Sequence, residues 1–139
     1  GREESEDRII DATAMQLVND PGKFDMIVCE NMFGDILSDE IAGLVGGLGL
    51  APGANIGKDA AIFEAVHGSA PDIAGKGIAN PAALLMAAVL MLEHLEMRDE
   101  AGRIKRALES AVRENDTLTP DLGGTGTTDT FADALIRRL

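Results

Sequence analysis

Apolar positions along this chain recur in two rhythms, and the changes between them mark out its elements. Ile9, Ile10, Ala14, Leu17 and Val18 return at roughly helical spacing. Ser5 precedes them as a candidate cap, with Glu6 and Asp7 at the positive end of the helix dipole. Asn19-Asp20-Pro21-Gly22 ends that helix in turn residues. Phe24 to Cys29 is then nearly continuous apolar sequence with β-branched members, which predicts a buried strand of the parallel kind. Helix, tight turn and buried strand in that order are the grammar of an α/β protein.

The second half continues the alternation. Asn31 to Leu44 predicts a helix, beginning near Phe33-Gly34, with Ile36, Leu37, Ile41 and Leu44 as its apolar face. From Gly46 to Gly57 the chain is glycine-rich and reads as irregular, and Ala60 to Phe63 as a short strand. Glu64 to Asn80 is a long loop punctuated by Gly68, Pro71, Gly75 and Gly77; its sparse charge favours a functional loop over a disordered one. Asn80-Pro81 starts a helix, with Asn as cap and Pro at the first helical position. That helix, through Leu95, is apolar almost all round and belongs in a core. Asp99 is expected to cap a further helix carrying Ala101, Ile104, Leu108, Ala111 and Val112 on one face, with Glu109 and Arg113 as an i,i+4 ion pair outside. A glycine-rich turn from Asp121 to Thr128 leads into a last amphipathic helix, from Asp129 to Leu139.

Composition narrows the class. With 139 residues, 45% hydrophobic and 26% charged, the chain is ordinary for a soluble globular domain. The longest apolar run, Ala82 to Leu92, is too short to span a bilayer, and no signal-peptide pattern opens the chain. A net charge of -12 with no basic stretch argues against nucleic acid and anionic membrane as partners. Cys29 is the only cysteine, so no internal disulfide forms; a buried thiol in a reducing compartment is expected, the cytoplasm or, in a eukaryote, the mitochondrial matrix. The chain has no Tyr or Trp and opens on Gly1-Arg2-Glu3-Glu4-Ser5, which reads as part of a longer polypeptide.

Two groups of residues carry candidate chemistry. Asp35 and Asp39 stand four apart on one predicted helix and project from the same face. Like charges so placed destabilise an isolated helix by about 0.2–0.5 kcal/mol, and a divalent cation would turn that repulsion into ligation. Oxygen-only ligands fit magnesium or manganese; a solvated acidic face is the plainer reading of the same spacing. Asp11, among apolar neighbours in the middle of an earlier helix, is a weaker third ligand. The glycine-rich stretches match neither G-x-G-x-x-G nor a P-loop, so this is not a Rossmann fingerprint. The 64–80 loop nevertheless offers backbone N–H groups, His67, Asp72 and Asn80. A carboxylate such as Asp72 suits the hydroxyls of a ribose and repels a 2′-phosphate. A purely structural loop fits these residues equally well. His94, near the end of the apolar helix, is read as a helix-terminal residue facing the dipole.

Three stretches together resemble the isocitrate and isopropylmalate dehydrogenase family. They are Asn31-Met32-Phe33-Gly34-Asp35-Ile36-Leu37-Ser38-Asp39, the run from Glu64-Ala65-Val66-His67-Gly68 to Ile78-Ala79-Asn80-Pro81, and Thr119-Pro120-Asp121-Leu122-Gly123-Gly124-Thr125. The resemblance implies the two-domain α/β fold of that family, present here as a C-terminal part. Residues 1–45 would end the central dimerisation and metal-binding domain, and residues 46–139 would be the C-terminal half of the large NAD-binding domain. Asp35 and Asp39 would bind Mg2+ or Mn2+, and Asp11 would reach the metal in the partner subunit of a homodimer. Glu64, His67, Gly68, Ala70, Asp72, Ile73 and Asn80 would hold NAD, with His67 and Asn80 at the adenine and Asp72 at the ribose. NADP-dependent relatives typically carry lysine then tyrosine where this chain has Asp72-Ile73.

The implied activity is oxidative decarboxylation of a small 2-hydroxy di- or tricarboxylic acid. The run from Gly46 to Gly57, and Phe63 to His67, resemble isocitrate dehydrogenases more than isopropylmalate dehydrogenases; homoisocitrate dehydrogenases are similar here. The family's proton-transfer tyrosine and lysine and its substrate-binding arginines lie upstream of the matching region, so no catalytic residue is assigned here and the 139 residues alone are expected to be inactive. A non-catalytic regulatory subunit and a stand-alone interaction module are the rival readings. Strands left uncovered in such a piece are expected to favour self-association.

Overall fold

A computed structural model describes residues 5–115 and 117–139, and the chain divides between Val45 and Gly46 into two compact units. The first unit holds α1 (Ile10–Asn19), a 3-10 turn at Pro21–Lys23, and α2 (Asn31–Val45). The two helices pack together and bury Thr13 and Leu17 from α1 and Leu37 and Ala42 from α2. Thr13 is tolerated there because its hydroxyl donates to the Ile9 carbonyl at 3.0 Å.

Four expectations fail in this unit. Ser5 does not cap α1; the helix begins after Ile9, which makes no side-chain cap bond, and Asp11 falls in its first turn rather than its middle. The segment from Phe24 to Cys29 forms no strand, and Met26 and Val28 are 83% and 89% exposed. A parallel strand depends on neighbours for its hydrogen bonds, and among the described residues no strand lies beside this one. Apolar composition supplied the preference without the partner. Cys29, expected to be buried by that strand, is exposed for the same reason.

The second unit is built around a two-stranded antiparallel ribbon, β1 (Pro52–Ile56) and β2 (Ala61–Ala65), in register from Pro52 opposite Ala65 to Ile56 opposite Ala61. The glycine-rich run therefore contains a strand where irregular chain was expected. Pro52 opens the strand, where a missing N–H is least damaging, and Gly53 lies opposite Glu64, within contact range of Val66. Helix α3 (Ala82–His94) packs on both strands and on α4 (Arg98–Arg113). It buries Ala82, Ala83, Ala87 and Val89, but Leu84 is 61% exposed, so it is not enclosed on every side. Asp99 lies in the first turn of α4 and Met97 takes the cap position, without a side-chain bond.

Helix α5 (Thr128–Ile136) starts one residue earlier than expected, because Thr127 and Thr130 form a reciprocal capping box. Phe131 of α5, fully buried, sits in a cluster with Ala82, Ala107, Leu108, Ala111, Leu118 and Leu135. Glu109 and Arg113 make no ion pair among the described residues; Arg138 pairs instead with Glu114 at 2.7 Å. Ser110 and Arg138, in that order of influence, hold the Glu114 carboxyl below the usual carboxylate range. No helix among the described residues is long and apolar enough to cross a membrane.

Candidate functional site

The carboxylate pair lies in the first unit. Asp35 and Asp39 are both exposed on α2, one turn apart on the same face. Asp11 is exposed in the first turn of α1, where its Oδ1 accepts the Ala12 N–H at 2.7 Å. Among the described residues no three His, Cys, Asp or Glu side chains gather where one ion could be held. The chain thus offers a pair of hard oxygen donors and leaves most of an octahedral shell open for water, substrate or a carboxylate from another chain. That donor set fits magnesium or manganese.

The cofactor candidates lie in the second unit, along the 64–80 segment. Glu64 is not in the loop itself but on β2, where its Oε1 accepts from Asn55 Nδ2 at 2.9 Å across the ribbon. His67 is exposed, and its Nδ1 lies 3.0 Å from the Gly68 carbonyl oxygen. A carbonyl only accepts, so any hydrogen bond in this contact has the Nδ1–H as its donor. A Cβ on Gly68 would meet nothing within 4 Å, so a ligand can approach the backbone there.

Ala70 has φ 41° and ψ 63°, a left-handed conformation unusual for a residue with a Cβ and especially before proline. That kink turns the chain into a 3-10 turn at Pro71–Ile73, held by the Ile73 N–H donating to the Ala70 carbonyl at 3.1 Å. Asp72 is exposed in this turn and Ile73 is half-buried beside it. Asn80, at the far end, accepts the Ala82 N–H on its Oδ1 at 2.9 Å, but α3 begins one residue later than expected, with Pro81 in the cap position and Asn80 just before it. The imidazole, acid and amide thus lie in that order along the loop, which hydrogen bonds turn at Ala70–Ile73, and a carboxylate such as Asp72 suits a diol in place of a phosphate. His94 stands in the last turn of α3, with its ring centroid 5.5 Å from that of Phe63.

Sequence reasoning assigned no role to the residues that hold this loop from outside. Asp121 accepts from Asn80 Nδ2 at 2.8 Å, and the Thr128 N–H donates to the Gly77 carbonyl at 2.8 Å. The Thr128 hydroxyl also donates to the Ala79 carbonyl. All three contacts come from the segment around Thr119 to Thr128, a motif legible as a motif but silent about what it touches. Its glycines are needed by geometry, since a Cβ on Gly124 would fall 1.9 Å from the Leu118 carbonyl oxygen and one on Gly126 2.1 Å from that of Thr117.

A family model described as isocitrate/isopropylmalate dehydrogenase matches residues 3–135. The chain belongs to that family. It is 55% identical over 134 residues to an isocitrate/homoisocitrate dehydrogenase of Thermus thermophilus, covering 96% of this chain and 40% of that protein. It is 54% identical over 136 residues to a 3-isopropylmalate dehydrogenase of Methanothermobacter thermautotrophicus, covering 98% of this chain and 41% of that protein. The crystal structure of isocitrate dehydrogenase from Methylococcus capsulatus superposes with a TM-score of 0.91 at 56% identity, over 94% of this chain and 39% of the other. The chain thus spans about 40% of the length of the curated relatives it matches and corresponds to part of their α/β fold.

Proposed function

We propose that the polypeptide carrying this chain oxidatively decarboxylates isocitrate to 2-oxoglutarate with reduction of NAD. The observation that carries the reading is the 64–80 loop, whose exposed Asp72 suits an adenosine ribose without a 2′-phosphate. When bound, the divalent cation supplies Lewis acidity at the substrate's hydroxyl and carboxylate, and NAD supplies the hydride acceptor. Asp35 and Asp39 hold the cation from one helix face, and Asp11 completes the set from the partner subunit of a homodimer. Glu64 and the backbone at Gly68 and Ala70 orient the cofactor; Ile73 supplies an apolar flank to Asp72, and His67 and Asn80 face the adenine. Residues 1–45 then end the dimerisation domain, and residues 46–139 form half of the large domain.

Family resemblance in the Gly46–Gly57 run and in Phe63 to His67 favours isocitrate over isopropylmalate, while homoisocitrate dehydrogenases are similar there. Relatives named for these acids match at 55% and 54% identity, so overall similarity does not choose between them. The test is NADH production by the full-length protein with magnesium, offering the three acids side by side. Isocitrate should be preferred, and Asp35→Asn should abolish turnover. Preference for another acid overturns the substrate alone; no turnover of any overturns the enzymatic reading in favour of a regulatory subunit.

A further inference from the structure

Asp121 has no part in the cofactor reading above, yet it joins three segments of the second unit. One carboxylate oxygen accepts from Asn80 Nδ2 at 2.8 Å, and the other accepts the hydroxyl of the fully buried Thr119. A Cβ on Gly49 would come within 3.2 Å of the first oxygen, so the backbone of a third segment packs close beside it. Asn80 meanwhile spends its Oδ1 on the Ala82 N–H at 2.9 Å.

These contacts fix the amide's orientation. Flipped by half a turn, Asn80 would set its NH2 against a backbone N–H and its oxygen against a carboxylate, both repulsive. A continuous relay therefore runs from the Thr119 hydroxyl through Asp121 and Asn80 to the first turn of α3. The neighbouring Thr128 bonds to Gly77 and Ala79 tie down the same end of the loop.

We propose that Asp121 is a positioning residue for the dinucleotide: it sets the face that Asn80 presents and holds the end of the 64–80 loop in its binding conformation. The inference rests on the NAD reading of that loop. A loop ordered before binding spares the ligand the cost of ordering it, so the effect belongs to cofactor affinity. The reacting carbon and the Asp35–Asp39 pair are untouched. A plain structural brace would behave differently, lowering thermal stability and moving every kinetic parameter together.

The experiment uses the full-length protein with Asp121→Asn, Thr119→Val and Thr119→Ser. An amide at 121 carries no charge, so Asn80 Nδ2 loses its carboxylate acceptor whichever way the amide turns, while the Thr119 hydroxyl can still accept from the new NH2. Asp121→Asn should raise KM for NAD and weaken NADH binding about tenfold, the loss of one hydrogen bond to a charged group. Its kcat and its KM for the hydroxy acid should stay within about twofold, the mark of lost uniform binding. Thr119→Val should shift KM for NAD in the same direction, and Thr119→Ser, which keeps the hydroxyl, should restore it.

Unchanged NADH affinity in Asp121→Asn, with wild type binding NADH, overturns the inference alone. So does a parallel shift of all parameters together with the melting temperature. If Asp121→Asn does not fold, equal NAD KM values for the two Thr119 variants overturn it. A wild type that binds no NADH overturns the NAD reading and this inference together.

Discussion

Asp72 follows a strained Ala70, and its place in the first turn of a short 3-10 segment leaves its carboxylate in solvent. Backbone strain of this kind costs on the order of 1–3 kcal/mol and persists where the surroundings enforce it. Here it aims one acid at the space above the loop. Asp72→Asn in the full-length protein should lower kcat/KM for NAD about tenfold, through loss of a charged hydrogen bond to the ribose. It should also narrow the gap between NAD and NADP, because the charge that repels a 2′-phosphate is gone. Comparing the two dinucleotides at fixed substrate checks this, and an unchanged ratio would remove Asp72 from cofactor choice. The aspartate pair on α2 predicts a different signature. Asp39→Asn should raise the magnesium concentration needed for half-maximal rate, with NADH binding unchanged, as read by a metal titration.

At the scale of elements, α5 is fastened by a capping box at one end and by Phe131 in the core. Phe131→Ala should destabilise the second unit by about 3–5 kcal/mol, since the cavity adds to the lost transfer energy. A denaturation midpoint close to wild type would show that the cluster is not its core. Glu114 gives a pH-dependent counterpart. Its carboxyl is held below the usual range by Ser110 and then by Arg138. Its stabilising contribution is therefore fully present above the ordinary carboxylate pKa and is lost as pH falls through the lowered folded value. Glu114→Gln should melt below wild type at neutral pH, and the difference should close in acid; a gap independent of pH would contradict the assignment.

Elements that carry their own stabilisation were legible beforehand. Helix α3 announces itself through Asn80-Pro81 and α4 through its apolar stripe, because capping and periodicity are local. The strand at Pro52–Ile56 was not legible, since its residues are Pro, Gly, Ala, Asn and Ile and its order comes from β2. The Phe24–Cys29 segment erred the other way, with strand composition and no strand beside it. Asp35, Asp39 and the 64–80 residues could be found by spacing and motif. The Asp121–Asn80 bond joins residues 41 apart in sequence, and nothing local foretells it.

For the whole molecule, the decisive feature is apolar surface without a cover. In the first unit Ile9, Met26, Val28, Met32 and Val45 are each more than 60% exposed. Scattered apolar residues on a surface need no explanation, but here Met26 and Val28 belong to one segment that lies in neither helix nor strand and pairs with no strand among the described residues. Such a segment is a template for pairing with another chain. The 139-residue chain in isolation should therefore self-associate as its concentration rises, with a broad, concentration-dependent thermal transition. Placing Lys at Met26 and Val28 should suppress that association, because charge on an exposed edge opposes pairing. Sedimentation velocity across a dilution series reads the outcome directly. A monomer at every concentration, with a sharp transition at high temperature, would mean that the first unit is complete without further chain. The part-for-whole reading, and the homodimer it implies, would then need another basis.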